Sequence, residues 1–165
     1  MKMSDGVEAA IHCVTLLASI PQDAVLSGAD LARFHGVSAS YLLKHLKALV
    51  AADVLVSVSG PKGGYRLARA ADRITLLDIV LAVEGGAPAF RCREIRRAGP
   101  NPPDATAFPD PCGISVAMLR AERAYRDALA RTPISELVRE HMDHAADCVL
   151  ARGAAFLKEN LRQQG

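Results

Sequence analysis

The run Gly60-Pro61-Lys62-Gly63-Gly64 constrains this chain more than any other segment. Three glycines and a proline in five residues make a tight turn and little else. Val54 to Ser59, just before it, alternates as a strand does, and Tyr65-Arg66-Leu67 starts a return strand. The segment therefore reads as a β-hairpin with Lys62 at its tip and Arg66 beside it.

The residues upstream of the hairpin read as three helices. Ser4 to Ile20 places Val7, Ile11, Val14 and Ala18 on one face, with Glu8, His12, Thr15 and Ser19 as a polar stripe on another. Pro21 ends that helix. Ser27 to His35 reads as a short second helix, capped by Ser27, with Asp30 in its first turn and Gly36 at its stop. Ser38 caps a third helix running to about Ala52, with Leu42, Leu46 and Leu49 facing inward. Ser40, Lys44 and Lys47 face the opposite way, with Tyr41 at the edge.

A short helix, a turn containing glycine and a second helix with a basic face make a helix-turn-helix pattern. An αα-hairpin in a bundle would share those two helices. A hairpin directly after the third helix is a wing, and that order favours double-stranded DNA as the partner. The candidate DNA contacts are Ser38, Ser40, Tyr41, Lys44 and Lys47 on the helix, and Lys62, Gly63, Gly64 and Arg66 on the wing. Gly63 and Gly64 let the backbone come close to phosphates, or simply make the turn.

Composition supports a mainly α fold. Half of the 165 residues are hydrophobic, only 4% are aromatic and Trp is absent, so the core is built from Leu, Val, Ile and Ala. The net charge of +2 is weak, so a nucleic-acid reading must rest on local geometry. Four cysteines are too sparse for a disulfide scaffold. Asp5 and Glu8 interrupt any signal-peptide pattern, and no apolar run approaches the roughly 20 residues of a membrane span. The expected setting is the cytoplasm, without a membrane, where thiols stay reduced.

Beyond the wing, Ile74 to Glu84 reads as a fourth helix ended by Gly85-Gly86. Ala87 to Pro111 then holds six prolines and the basic cluster Arg91, Arg93, Arg96 and Arg97, which marks a long loop. Gly113 to Arg131 reads as a long helix. Its seam of Ile114, Met118, Ala121, Tyr125 and Ala128 suits a homodimer interface or packing on the chain's own domain. Thr132-Pro133 opens a further helix with apolar and amphipathic positions at Ile134, Leu137, Val138, His141 and Met142. The tail from Ala145 to Gln163 is helical in propensity and possible to read as its continuation. The expected division is a winged helix-turn-helix domain over 1–86, a loop over 87–112, and a dimerisation helix with C-terminal helices over 113–165.

Cys13 and Cys148 lie among apolar neighbours and read as small buried hydrophobes. Cys92 and Cys112 sit near the two ends of the loop, nineteen residues between them, and the loop can fold back to join them. Two thiolates do not complete a tetrahedral site or a cluster. Glu8 and His12, at i and i+4 on one helix face, can converge on a metal or form a solvated ion pair. Three readings stand open: a metal or cluster site, a reversible Cys92–Cys112 disulfide, and an iron–sulfur electron carrier that kept a winged fold. No nucleophile–base pair or phosphate-binding loop points to an enzyme.

Residues 1 to about 130 resemble the Rrf-two family of winged-helix regulators, the IscR and NsrR type. The likeness is carried by Gly36-Val37-Ser38, Tyr41-Leu42, Leu46-Lys47-Ala48-Leu49, Gly60 through Leu67, Ile74-Thr75-Leu76-Leu77-Asp78-Ile79-Val80 and Val83-Glu84-Gly85. It implies a dimeric transcription regulator, and many members carry an iron–sulfur cluster on loop cysteines. Cluster-binding members typically place three cysteines close together, whereas this loop has two, far apart. The chain also resembles a redox-sensing member in its Val7-Glu8 and Ile11-His12-Cys13 start and its wide cysteine spacing. That likeness implies Glu8, His12, Cys92 and Cys112 as ligands of a 2Fe–2S cluster, with the first helix of one subunit meeting the loop of the other.

Overall fold

A computed structural model describes residues 3–163. Helix α1 (Asp5–Ala18) forms where the apolar stripe was expected, and buries Val7, Ala10, Cys13, Val14 and Leu17. It ends two residues before Ile20. Ser4 precedes it without capping it through its side chain; its amide and hydroxyl both donate to Glu84 Oε1 instead.

Strand β1 (Ala24–Val25) leads to α2 (Gly28–His35). Ser27 caps α2 by accepting the Asp30 amide at 3.1 Å. Gly36 stops it at φ +66°, a left-handed conformation that glycine adopts without a Cβ penalty. Helix α3 (Ala39–Ala51) buries Leu42, Leu46 and Leu49 completely. Each such leucine contributes about 1.5–3 kcal/mol relative to an exposed one. Strands β2 (Leu55–Val58) and β3 (Gly64–Leu67) pair antiparallel, with Val56 opposite Arg66 and Ser57 opposite Tyr65.

Helix α4 (Leu76–Glu84) begins two residues later than Ile74. A reciprocal cap explains the shift: Asp78 donates its amide to the Thr75 hydroxyl, and the Thr75 amide donates to the Asp78 carboxylate. Ile74 stays extended and fully buried, and its carbonyl accepts the Ile134 amide at 2.8 Å.

The C-terminal third comprises α5 (Gly113–Ala130), α6 (Ile134–His144), α7 (Asp147–Asn160) and β4 (Arg162–Gln163). Ile134 of α6 is fully buried in the same core as α1 and α3, so this third completes the core of the first. Helix α5 packs on α4 and leaves Ile114, Met118 and Leu119 exposed, at 67%, 44% and 44%. Among the described residues, these three form an exposed apolar edge on α5.

Several expectations need correction. Pro133 occupies the cap of α6 in extended conformation, not its first turn, and the Thr132 hydroxyl turns back to the Ala128 carbonyl. The tail does not continue α6, because Ala145 and Ala146 are both extended. It closes on a strand that helical propensity did not anticipate: β4 pairs antiparallel with β1, Ala24 opposite Gln163 and Val25 opposite Arg162. Cys148 is exposed, as are His141 and Met142, because the start of α7 and the end of α6 lie outside the core, which α7 reaches only further along, at Leu157. Cys13, by contrast, is buried as expected.

Candidate nucleic-acid interface and cysteine site

The three buried leucines orient α3, and its opposite face is consequently open. Ser38, Ser40, Tyr41, Lys44 and Lys47 are all exposed there. Ser38 does not cap α3 with its side chain; its hydroxyl shares a 2.9 Å hydrogen bond with that of Ser40. The Tyr41 ring stands edge-on to His45 at 4.8 Å between centroids. His45 is buried against the backbone of Gly6, where a Cβ would lie 2.3 Å from the imidazole. Helix α3 is thereby seated directly on α1.

Lys62 is exposed at the wing tip and Arg66 is half-buried on β3, its Nη1 donating to the Leu67 carbonyl at 3.4 Å. The two wing glycines answer a demand of the chain's own backbone. A Cβ on Gly63 would lie 2.1 Å from the Val58 oxygen, and one on Gly64 would lie 2.4 Å from the Leu26 oxygen.

The long loop is organised around an arginine that the sequence reading grouped with three others. Arg96 pairs with Glu94, donates to the Asp110 carbonyl at 3.3 Å, and lies over the Phe108 ring at 4.4 Å. Arg97 adds a 3.1 Å hydrogen bond to the Phe108 carbonyl. These contacts join the two ends of the loop. A second clamp fixes its start: Glu122 of α5 is buried, accepts the Ala89 amide at 2.9 Å, and pairs with Arg126, which also reaches the Gly86 carbonyl.

Folding back in this way brings Cys92 beside Cys112. Both are free thiols; Cys92 is exposed and Cys112 half-buried. Cys112 sits at the N-cap of α5 without a formed cap hydrogen bond. The Ser115 and Ile114 amides still draw its thiol below the usual range, helped by Cys92 and the Arg96 guanidinium. A helix N-terminus and a nearby cation favour thiolate, which is the reactive and metal-binding form. Arg91 and Arg93, adjacent to Cys92 in sequence, are simply exposed. Nothing in the spacing singled out Arg96.

Glu8 and His12 are exposed on α1. The chain does not gather them with the cysteines: among the described residues, no group of three His, Cys, Asp or Glu side chains is placed to hold a metal ion. The His12 ring lies 5.6 Å from that of His35, at the end of α2. Burial, then the charge of His12, pushes His35 down to about 4. His45 is lowered too, mainly by burial, then by Lys44, against a small opposing effect of Glu84.

These two histidines set a pH dependence. A base whose folded pKa is depressed stays neutral in the native state while the unfolded chain takes up a proton. Stability is therefore full above about pH 6.5 and falls as pH drops toward 4. Thermal melts of the metal-free protein should show a falling Tm across that window, with a shallower fall in His35→Gln. A Tm constant from pH 7 to 4.5 would contradict this.

Comparison with known proteins places this geometry. The Rrf2 family, described as iron-dependent transcriptional regulators, matches residues 3–140. YwgB of Bacillus subtilis, an HTH-type transcriptional regulator by name, is 40% identical over 85 residues, covering 52% of this chain and 54% of YwgB. The regulator IscR of Xenorhabdus nematophila is 31% identical over 93 residues, 56% of this chain and 57% of IscR. The chain thus spans little more than half the length of these relatives. Among solved structures, CymR of B. subtilis, the global cysteine regulator, superposes with a TM-score of 0.66 at 21% identity, covering 85% of this chain and 98% of CymR. The oxidized form of Staphylococcus aureus CymR gives 0.61 at 25% identity, covering 84% and 96%. With a mainly helical winged-helix fold and a family match across most of its length, the chain belongs to the Rrf2 family of transcriptional regulators.

Proposed function

We propose that the protein is a homodimeric, operator-binding transcription regulator that senses redox state through a 2Fe–2S cluster. Cys92 and Cys112 of one protomer and Glu8 and His12 of the other are its ligands. The observation that carries this reading is the pairing of Cys92 with Cys112 at the start of α5, with Arg96 alongside. Two thiolates, an imidazole and a carboxylate supply the four ligands such a cluster takes. The donor set fits: both helix residues are exposed one turn apart, and the exposed α5 edge of Ile114, Met118 and Leu119 offers a surface for a second copy.

When bound, the cluster supplies a one-electron redox couple, whose potential an imidazole ligand raises relative to an all-thiolate set. The chain's own residues do the rest. Arg96 offsets negative charge at the cysteines, and the Glu94–Arg96–Phe108 contacts hold the loop ends together. Helix α1 packs on α3, so a displacement of Glu8 and His12 moves the helix that carries Ser40, Tyr41 and Lys44. A dimer reads half-sites about 34 Å apart, and a small rotation of the two α3 helices changes that fit. Wing residues Lys62, Gly63, Gly64 and Arg66 track the flanking backbone, with Ser38 and Lys47 at the margins of α3.

A second reading is favoured by the same cysteine pair. The lowered Cys112 thiol attacks an oxidised partner or oxidant, and a Cys92–Cys112 disulfide forms with release of two protons and two electrons to that oxidant. The fold shared with CymR is compatible with it.

Visible absorption of protein purified without oxygen separates the two. The cluster reading expects a coloured protein with iron and sulfide, whose spectrum shifts in both His12→Ala and Glu8→Ala. A colourless, iron-free protein whose DNA binding still responds to oxidant would establish the disulfide reading instead. Unchanged spectra in both variants would remove the α1 ligands.

A further inference from the structure

The wing is held from behind by the end of the chain. Arg162 of β4 donates through Nη1 to the Gly63 carbonyl at the wing tip, at 3.0 Å, and through Nη2 to Asp30 Oδ2, at 3.3 Å. Asp30 belongs to α2, the first helix of the helix-turn-helix, and is 9% exposed. Its other oxygen accepts Arg33 at 3.2 Å. One guanidinium therefore ties the wing tip to the helix-turn-helix through a buried carboxylate.

The rest of the segment is anchored independently. Leu157 and Leu161 pack against the core. Phe156 lies 4.8 Å from the Phe34 ring and under the Arg33 guanidinium at 5.2 Å. Arg33 also donates to the Asn160 carboxamide oxygen. Backbone pairing of Val25 with Arg162 then sets the height at which the guanidinium emerges. The family match ends at residue 140, so α7 and β4 lie outside it, while Asp30, Arg33, Phe34 and Gly63, which they contact, lie within it.

We propose that α7 and β4 form a strap that fixes the wing for DNA contact, with Arg162 as its positioning residue. A planar fork can hold a carbonyl and a carboxylate at once, whereas an ammonium is a point charge without that geometry. The strap acts through the wing and not on phosphate itself. This inference rests on the reading of the wing as a DNA-contacting element.

The test is a double-mutant cycle in the full-length protein, with affinity for an operator fragment measured across a salt series. Lys62→Ala alone should weaken binding severalfold and flatten the salt slope by about one unit. Arg162→Ala should weaken binding by a similar factor, and Arg162→Lys should not restore it. In the Arg162→Ala background, Lys62→Ala should cost little further, because an unfixed wing has already lost that contact. Full rescue by lysine, or costs that simply multiply, would overturn the strap and mark Arg162 as a separate charge on the surface. No effect of Lys62→Ala in the wild type would instead remove the wing contact itself. Unaltered circular dichroism confirms that each variant folds.

Discussion

Gly64→Ala is expected to cost about 1–3 kcal/mol, the range of overpacking in a filled site. The added Cβ would lie 2.4 Å from the Leu26 carbonyl oxygen and 2.6 Å from its carbon. Both are backbone atoms, so no side chain can swing aside. The same oxygen accepts the Tyr65 amide at 2.8 Å, and the Leu26 amide donates to the Tyr65 carbonyl at 3.2 Å. Pushing the strands apart weakens both bonds, each contributing about 0.5–1.5 kcal/mol. In a chain of this size every kcal/mol lowers Tm by about 2–4 °C. DNA affinity should fall as well, since Leu26 leads directly into α2 and Gly64 carries the wing. Gly86→Ala is the control, because nothing lies within 4 Å of its added Cβ. Equal melting temperatures for the two variants would contradict the packing argument.

That example also locates what the sequence could express. The glycines were legible as a turn because turn chemistry is local. Their tight fit against Val58 and Leu26 was not, since Leu26 is far away along the chain. The helices α1 to α3 followed from period and caps: Leu42, Leu46 and Leu49 are spaced for one face, and Ser27 and Gly36 bracket α2 by their own conformational preferences. The fourth helix shifted by two residues because the Thr75–Asp78 cap outweighs the helical pattern of Ile74. The strand β4 was hidden for another reason. Two residues carry no period, and their partners, Ala24 and Val25, lie far away along the chain.

The candidate site was legible in its residue types and not in its assembly. Cys92 and Cys112 stood out because they alone bracket a proline-rich loop. What brings them together is Arg96 with Glu94 and Phe108, and arginine in a loop has no sequence signal that separates a clamp from a solvated charge. Glu94 adopts a left-handed conformation, φ +49°, which few non-glycine residues do and which composition cannot flag. Cys148 misled for a related reason: apolar neighbours predict burial only when their part of the helix faces the core, and α7 meets it at Leu157, not at Cys148 or Val149.

Cys112→Ala is expected to abolish the response of DNA binding to oxidant altogether. Both readings of the site pass through this sulfur, as a ligand or as the attacking thiolate. The substitution should leave the fold nearly untouched, within about 0.5 kcal/mol, as surface changes usually do. What α5 loses is the sulfur's interaction with the Ser115 and Ile114 amides, which water replaces at this partly exposed position. No other thiol can take its place. Burial pushes Cys13 up to about 12, which keeps it protonated and inert. Cys148 is exposed, but Cys148→Ser should leave the response intact, because α7 brings it no partner cysteine. The comparison with His12→Ala then divides the readings. If the cluster is the sensor, His12→Ala alters the visible spectrum and the response together. If the disulfide is the sensor, His12→Ala responds as the wild type does, while Cys92→Ser fails like Cys112→Ala. A Cys112→Ala protein that still switches its operator affinity with oxidant would remove the cysteine pair from sensing under either chemistry.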